Sequence, residues 1–529
     1  MKTIEGEAEL AAVAHALAGE AASLSAPERR LIARAARPDS SLLESVRALI
    51  AAGADPLGET FCQLRSNVER RRLGAVYTPE IIVGSMVQWA ARQAEPARIV
   101  DPGTGSGRFI LAAAAIFPKA ELIAVDIDPL ATLILRANAA VRGIADRLTI
   151  HCTDYRRVVL PPIEGKTLFI GNPPYVRHHD LPEPAKAWFG ETAARLGFKA
   201  SKLAGLHVHF FLKTRELARP GDFGAFITSA EWLDVNYGSV LRKMLGNGLG
   251  GRALHVIAPE SQPFADTATT GAITCFEVGS EPKRMTVRHV RSLGELGDLS
   301  QGREVSWKTL GKAPRWSIIV RPGTRSDPKH IELGELFRVH RGQVTGNNGI
   351  WVAGAYSGEL PASVMFPTVT RGRELMAAGP ELLSAAELRR VIDIPVDLDT
   401  LGAEERRQVA RFLKWAAKNG GKEGYIASRR RAWWNVNLRP AAPILCSYMA
   451  RRPPAFVWNG CGARHINIAH GLYPIEPLGE AMLRAFVHFL CGNVSTDQGR
   501  TYAGGLTKFE PREIERLYIP RPEALDAHP

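Results

Sequence analysis

"IVDPGTGSGRF", residues 99–109, places three glycines between a strand-like apolar run and a helix-like one. Glycine has no Cβ, so a glycine-rich turn lets the backbone approach a ligand closely. The spacing is G-x-G-x-G, whereas a dinucleotide-binding loop has G-x-G-x-x-G and a P-loop ends in Lys followed by Ser or Thr. The stretch therefore predicts an α/β sheet whose glycine loop binds a nucleoside that carries no pyrophosphate.

Acidic residues end three successive predicted strands. Asp101 ends the first, Asp126 ends the second in "AVDIDP", and Asp154 ends the third in "HCTDY". Ligands of doubly wound sheets bind outside the carboxyl ends of the strands. There a carboxylate such as that of Asp126 can accept hydrogen bonds from both ribose hydroxyls. The alternative, a glycine turn followed by helix caps, explains the loop alone but not three acids in register.

The pattern around this loop divides the chain into three predicted regions. Residues 1–70 have helical spacing and form an N-terminal helical prefix. Residues 71–310 alternate short apolar strands with helices, which predicts a parallel, doubly wound sheet. Residues 311–529 are richer in irregular Pro- and Gly-containing segments, and they predict a separate α+β module.

Composition limits the classes of protein and of partner. Among 529 residues, 67 Lys and Arg stand against 54 Asp and Glu, a net charge of +13 that favours a polyanionic partner. The six cysteines are scattered with no CxxC pair, so we expect no metal site, no disulfide framework and a reducing cytoplasm. The N-terminus does not resemble a signal peptide, and no apolar run is long enough to span a bilayer. We therefore expect a soluble protein with no membrane partner.

A second motif lies in "FIGNPPYVRH", residues 169–178, where Asn172, Pro173, Pro174 and Tyr175 follow a buried-strand pattern. Proline cannot donate to a sheet ladder, so the strand should end at this corner. A lone Asn-Pro pair is usually a cap followed by a turn. Four such residues behind a nucleoside-binding loop indicate a site.

These motifs, in this order, resemble those of a known family. "DPGTGSG", "VDID", "CTDY" and "NPPY" resemble class I S-adenosylmethionine-dependent methyltransferases with a Rossmann-like sheet, and within them the gamma class (TaqI-like) of N6-adenine-specific DNA methyltransferases. "GAVYTPEIIVGSMV", residues 74–87, resembles the segment that completes the methionine pocket of that family. The resemblance implies S-adenosylmethionine as cofactor, with these contacts: Tyr77, Thr78, Asp101, Gly103, Gly105, Asp126, Asp154 and Asn172.

The family chemistry gives the proline corner a role. The Asn172 side-chain oxygen and the Pro173 carbonyl would each accept one proton of an adenine amino group, while Pro174 keeps that corner rigid. Tyr175 would stack on a base flipped out of the duplex. Phe264, in "PFADTATTGAITCFEVG" (263–279), resembles the ring that faces the base from the other side, although a core phenylalanine is the alternative. The transfer is direct, so no metal or covalent intermediate is implied.

The last third of the chain carries the densest basic signal. Residues 422–464 contain eight Lys and Arg against one acid, interleaved with aromatic residues. Basic side chains neutralise phosphates, although a solvated charged face over core aromatics is the alternative. "VHRGQVTGNNGIWV" (339–352) and "GRTYAGGLTKFEPREIERLYIPRP" (499–522) resemble the opening and closing segments of target-recognition domains. The predicted DNA contacts are Arg429, Arg430, Arg431, Arg439, Arg451, Arg452 and Arg464.

The leading hypothesis is thus a site-specific N6-adenine methyltransferase that acts on duplex DNA, paired with a cognate restriction endonuclease or working alone. Methylation of RNA or of a protein glutamine uses the same corner, but such enzymes are usually shorter. Methylation of cytosine N4 also stays open. A non-catalytic scaffold would have no physical need for the corner, and the prefix is too short and too helical for a fused nuclease.

Overall fold

The computed structural model describes most of the chain as two compact units, which we call the first and the second unit. The described residues are 4–20, 22–33, 36–65, 78–201, 203–258, 261, 270–313, 315–320, 330–450, 452–502 and 506–525. The first unit contains the described residues up to 320, and the second contains those from 330 onward. Among the described helices, none combines the length and the apolarity that a membrane crossing needs. The predicted three-way functional division of the chain stays a prediction.

The first unit is built on one large sheet. Its strands are β1 (Arg98–Pro102), β2 (Glu121–Asp126), β3 (Leu148–Cys152), β4 (Thr167–Gly171), β5 (Phe223–Ser229), β6 (Gly251–Ile257), β7 (Gly271–Glu277), β8 (Arg284–Val290) and β9 (Arg303–Ser306). Its helices are α1 (Glu7–Ala18), α2 (Ala26–Ile32), α3 (Ser40–Ala51), α4 (Pro56–Leu64), α5 (Glu80–Ala91), α6 (Arg108–Ile116), α7 (Pro129–Val141), α8 (Glu183–Arg195), α9 (Leu206–Leu217), α10 (Ser239–Gly246), α11 (Trp307–Lys312) and α12 (Ser317–Val320).

The strand order is β3-β2-β1-β4-β5-β7-β6-β8-β9. The first five strands are parallel, as the alternation of strands and helices predicts. Strand β7 runs antiparallel between β5 and β6, so the doubly wound sheet is mixed and not parallel throughout. Strands β6 and β7 follow each other in the chain and pair antiparallel, an arrangement that needs no crossover connection.

Alternating side chains of the central strands enter two separate cores. Ile99 faces the core beneath α5 and α6, and Val100 faces the core beneath α9 and α10. In β4, Leu168 and Ile170 enter the first of these cores while Phe169 enters the second. Strands buried on both faces read as continuous apolar runs, which is how these strands appear in the sequence.

The N-terminal helices form a layer on α7. Leu10, Val46 and Leu57 share a buried apolar cluster with Leu133 and Ile134 of α7. The helical spacing of this prefix therefore reflects amphipathic helices whose apolar faces pack on the first unit.

The second unit is an α+β module. Its strands are β10 (His330–Glu332), β11 (Phe337–Arg341), β12 (Met365–Val369), β13 (Arg390–Ile392), β14 (Ile444–Ser447), β15 (Met449–Ala450), β16 (Phe456–Trp458), β17 (Arg464–His465), β18 (Ala469–Pro474), β19 (Arg500–Tyr502), β20 (Leu506–Lys508) and β21 (Tyr518–Pro520). Its helices are α13 (Asn348–Trp351), α14 (Gly372–Ala378), α15 (Ala403–Lys418), α16 (Tyr425–Ser428), α17 (Glu480–Asn493), α18 (Pro511–Glu515) and α19 (Pro522–Leu525). Strands β11-β18-β14-β16 form an antiparallel sheet whose apolar face packs against α17.

Candidate active site

The carboxyl ends of four neighbouring strands meet at one edge of the large sheet. The glycine loop follows β1, Asp126 is the last residue of β2, Asp154 follows β3 and Asn172 follows β4. The strand order reverses between β1 and β4, and ligands of doubly wound sheets bind at such a switch point. The structure thus brings the sequence-predicted residues of these four strands to one crevice.

The glycine loop is held by the neighbouring strand. Gly103 N donates to Val125 O at 2.8 Å, and Gly105 N donates to Asp126 Oδ2 at 2.9 Å. Gly103 has φ +74°, and a Cβ at this position would lie 3.3 Å from the Pro174 ring. Gly105 has φ +56°, also in the left-handed region. Glycine at these positions therefore lets the loop pass close to the proline corner.

The three predicted acids have different surroundings. Asp126 is half-buried and accepts hydrogen bonds from Gly105 N and Asp128 N, and burial raises its pKa to about 6. Burial would also raise the pKa of Asp154, but hydrogen bonds and the charge of Arg156 lower it overall. Both residues line the cavity described below.

Asp101 lies behind the glycine loop, fully buried. Its Oδ2 accepts hydrogen bonds from Thr104 Oγ1 at 2.8 Å and from Ile110 N at 3.2 Å. Burial raises its pKa to about 7. Its Oδ1 is buried with no hydrogen-bond partner among the described residues and lies 2.6 Å from where a Cβ at residue 171 would stand. Asp101 thus holds the glycine loop and lies against Gly171, the residue before Asn172. Its contact with a cofactor stays a prediction.

The proline corner is held by a residue that precedes α5. Asn172 Nδ2 donates to Thr78 Oγ1 at 2.9 Å. Asn172 and Pro174 line the cavity, and Pro173 is buried. Tyr175 is half-buried and packs against the core beneath α5 and α6, with the pKa of its hydroxyl raised well above its usual range by burial.

These elements enclose a cavity of about 350 Å³. Its wall combines the glycine loop, both strand-end acids Asp126 and Asp154, and the proline corner. Phe210 of α9 packs against Tyr155 in a tilted arrangement with ring centroids 5.1 Å apart, and both rings line the cavity. Ile127, at the edge of the cavity, is 56% exposed. The cavity is therefore polar along the strand ends and apolar on its sides, as a nucleoside requires.

Sequence reasoning did not identify one wall of this cavity. Gly58, Phe61 and Cys62 of α4 line it, although the prefix carried only a helical pattern. Ile127 could have been found, because it directly follows Asp126 between two acids. No sequence signal distinguishes Phe61 from other apolar residues of an amphipathic helix.

Three predicted site residues lie outside the described residues. They are Tyr77, Phe264 and Arg451. Their roles stay predictions from the resemblance, as does the base-stacking role of Tyr175.

The predicted DNA-contacting arginines of the second unit fall into two groups. Arg429, Arg431 and Arg452 are exposed. Arg430 donates to Val344 O at 2.9 Å and Thr345 O at 2.8 Å and lies over the Trp351 ring.

Two further arginines of this set are half-buried. Arg464 donates to Arg439 O at 2.6 Å and lies over the Phe366 ring, and Arg439 is half-buried as well. The density of arginines in the sequence therefore overstates the number that face solvent, because some hold loops of the second unit together.

The strand order, the glycine loop after β1 and the N-P-P-Y corner after β4 define a class I methyltransferase. Three methyltransferase family models match segments of the chain. Residues 166–257 match the Eco57I restriction-modification methylase, residues 323–528 match the C-terminal domain of the type II methyltransferase M.Eco57I, and residues 84–160 match ribosomal protein L11 methyltransferase.

Similar proteins extend the match to the whole chain. The type II methyltransferase M.XamI of Xanthomonas campestris pv. amaranthicola is 54% identical over 99% of this chain and 100% of its own length. The type II methyltransferase M.AccI of Acinetobacter calcoaceticus is 19% identical over 84% of this chain and 85% of its own. The chain therefore belongs to the family of type II methyltransferases. The solved structure of the type IIL restriction-modification enzyme MmeI in complex with DNA shares the fold, with a TM-score of 0.53, 13% identity, and coverage of 91% of this chain and 75% of that one.

Proposed function

We propose that this protein transfers a methyl group from S-adenosylmethionine to the N6 amino group of an adenine within a specific site in duplex DNA. The observation that carries the proposal is the Asn172 amide, which Thr78 holds at 2.9 Å at the edge of a nucleoside-sized cavity. The natural setting that we propose is a restriction-modification system with a cognate endonuclease, as the names of the similar proteins suggest.

The residues around the cavity fit S-adenosylmethionine. A volume of about 350 Å³ lies within the range of small-molecule sites. The close approach of Gly103 to Pro174 leaves a cradle that a Cβ would fill. Asp126 offers a carboxylate for the ribose hydroxyls, and Phe210 with Ile127 offers apolar surface for an adenine ring. When bound, the cofactor supplies an electrophilic methyl group on a sulfonium.

The chain supplies the acceptors that an amino nitrogen requires. The lone pair of an adenine amino group is delocalised into its ring, so the nitrogen is a weak nucleophile. Because Asn172 Nδ2 is engaged by Thr78, the amide presents its oxygen as the acceptor for one amino proton. The Pro173 carbonyl, fixed between two rigid rings, accepts the other. Acceptors already in place stabilise the charge that develops on the nitrogen without reorganisation.

The choice of DNA as substrate rests on the second unit and the similar proteins. Residues 323–528 match the C-terminal domain of a type II methyltransferase. Arg429, Arg431 and Arg452 are exposed in that unit and can neutralise phosphates. Tyr175, which the family resemblance assigns to base stacking, favours adenine over cytosine.

The test is transfer of tritiated methyl from S-adenosylmethionine to unmethylated duplex DNA, with bulk RNA and a release-factor protein in parallel. The labelled product is digested and the modified nucleoside or residue identified. We expect label in N6-methyladenine from DNA, and at least about 100-fold slower labelling with Asn172→Ala. Label in N4-methylcytosine would correct the target base, and label only in RNA or protein would overturn the proposal.

A further inference from the structure

One buried carboxylate connects the N-terminal helices to the glycine loop. Asp55 is the N-cap of α4, where its Oδ1 accepts from Gly58 N at 3.0 Å. Its Oδ2 accepts from Ser106 Oγ at 2.6 Å and from Arg108 Nε at 3.2 Å. Only 8% of Asp55 is exposed. The group that starts α4 thus also holds the glycine loop and the first residue of α6.

Two further hydrogen bonds extend this connection to the proline corner. Arg108 Nη1 donates to Thr78 O at 3.2 Å, and Thr78 Oγ1 accepts from Asn172 Nδ2 at 2.9 Å. Arg108 and Thr78 therefore link Asp55 to Asn172 through successive hydrogen bonds. Each of these contacts is a hydrogen bond that is largely buried, so each fixes the orientation of the side chains it joins.

Capping alone does not explain an aspartate at residue 55. Ser and Asn cap helices about as well as Asp does. A buried carboxylate paired with an arginine costs desolvation that a neutral cap avoids. Asp39 shows capping away from the cavity: it starts α3 by accepting from Ser41 N at 2.9 Å and Leu42 N at 3.3 Å.

We infer that Asp55 is a positioning residue of the methyl-transfer site. It holds Ser106 and Arg108 beside the cofactor cavity, and through Arg108 and Thr78 it orients the Asn172 amide. The second part rests on the function proposed above. The N-terminal helical layer therefore contributes to the site: residues of α4 line the cavity, and the N-cap Asp55 holds Ser106 and Arg108, which line it as well.

The first measurement is the affinity for S-adenosylmethionine of the full chain, by calorimetry, with Asp55→Asn compared with Asp39→Ala. Asparagine keeps the size and an oxygen for the cap but removes the charge that faces Arg108. We expect Asp55→Asn to raise Kd by about tenfold, the effect of losing a hydrogen bond to a charged group. The Asp39→Ala control removes a cap of the same layer and is expected to stay within about twofold of the wild type.

The second measurement is the single-turnover rate of DNA methylation at saturating cofactor. We expect Asp55→Asn to lower it by about tenfold in the wild-type background and by much less in Thr78→Val, since contacts in one network are not additive.

Ser106→Ala keeps the cap intact, removes one hydrogen bond to Asp55, and should raise Kd by about threefold.

Two results would overturn the inference: a Kd and a rate for Asp55→Asn within about twofold of the wild type, or equal changes in Asp39→Ala. Cofactor binding without DNA methylation by the wild type would instead refute the proposed function. The comparison of Kd values would still decide the role of Asp55.

Discussion

Thr78 and Asn172 are 94 positions apart in the chain and meet at 2.9 Å, hydroxyl oxygen to amide nitrogen. Thr78 stands just before α5 and Asn172 just after β4, so the contact forms only when helix and strand pack together. The amide cannot rotate without losing this hydrogen bond. An amide that rotated freely would offer nitrogen as often as oxygen.

Asn172→Ala should abolish most methyl transfer. We expect the rate to fall at least about 100-fold, because removal of one preorganised transition-state hydrogen-bonding group has an effect of that size. The Kd for S-adenosylmethionine should change only severalfold, since the remaining cavity wall is intact. Asn172→Asp, which keeps an oxygen acceptor, should retain measurable transfer. A loss of cofactor affinity as large as the loss of rate would contradict the role given to Asn172.

Asp126→Ala should act on the cofactor and not on the chemical step. We expect Kd for S-adenosylmethionine to rise by about 10- to 100-fold, because a charged acceptor for the ribose hydroxyls is lost. The variant also loses the acceptor for Gly105 N, so its melting temperature without cofactor serves as the control. Normal cofactor affinity in a folded variant would remove Asp126 from the ribose site.

Asp101 should make the folded state less stable as pH rises. Its folded pKa is raised to about 7 by burial, against about 3.9 in an unfolded chain. The folded state therefore binds more protons than the unfolded state, and the free energy of unfolding falls between about pH 4 and pH 7. Asp101→Asn removes this ionisation. Across that window the melting temperature of Asp101→Asn should rise relative to that of the wild type. The difference in free energy of unfolding should reach a few kcal/mol, in order of magnitude about 1.4 kcal/mol per unit of pKa difference.

Asp298 provides a control of opposite sign for this pH dependence. Its pKa is lowered, first by the backbone hydrogen bond from Ser300. Its charged form favours the folded state, so Asp298→Asn should lose stability relative to the wild type as pH rises to about 4, and the difference should stay constant above that pH. If the melting temperatures of wild type and Asp101→Asn changed with pH in the same way, Asp101 would ionise normally in the folded chain.

Substitutions of three neighbouring arginines in the second unit should affect different properties: two should weaken DNA binding, and the third should lower stability. Arg429→Ala and Arg431→Ala each remove an exposed cation, and each should weaken DNA binding and lower the salt dependence, log Kd against log salt, by about one. Arg430→Ala should instead lower the free energy of unfolding by about 1–3 kcal/mol, because Val344 O and Thr345 O lose their donor. Equal salt slopes for wild type, Arg429→Ala and Arg431→Ala would place the DNA elsewhere.

Features that depend on local pattern could be predicted from the sequence. The strands β1 to β4, the loop at Gly103 and Gly105, and the corner at Asn172 were all predicted, because periodicity, glycine and proline act within a few residues. The antiparallel direction of β7 was not, since strand direction depends on which strands become neighbours. The engagement of Arg430 was not either, because its partner Val344 is 86 positions away.

By itself the sequence predicted the alternation of strands and helices, the glycine loop at Gly103 and Gly105 and the proline corner at Asn172, since these depend on residue type and spacing. The chemistry of the corner is a prediction from the family resemblance. Only the tertiary structure decided that α4 forms a wall of the cavity and that Asp55 meets Ser106 across 51 positions. Such contacts depend on which apolar faces pack together. That choice is made by the burial of the whole N-terminal layer on α7, and no short stretch of the chain encodes it.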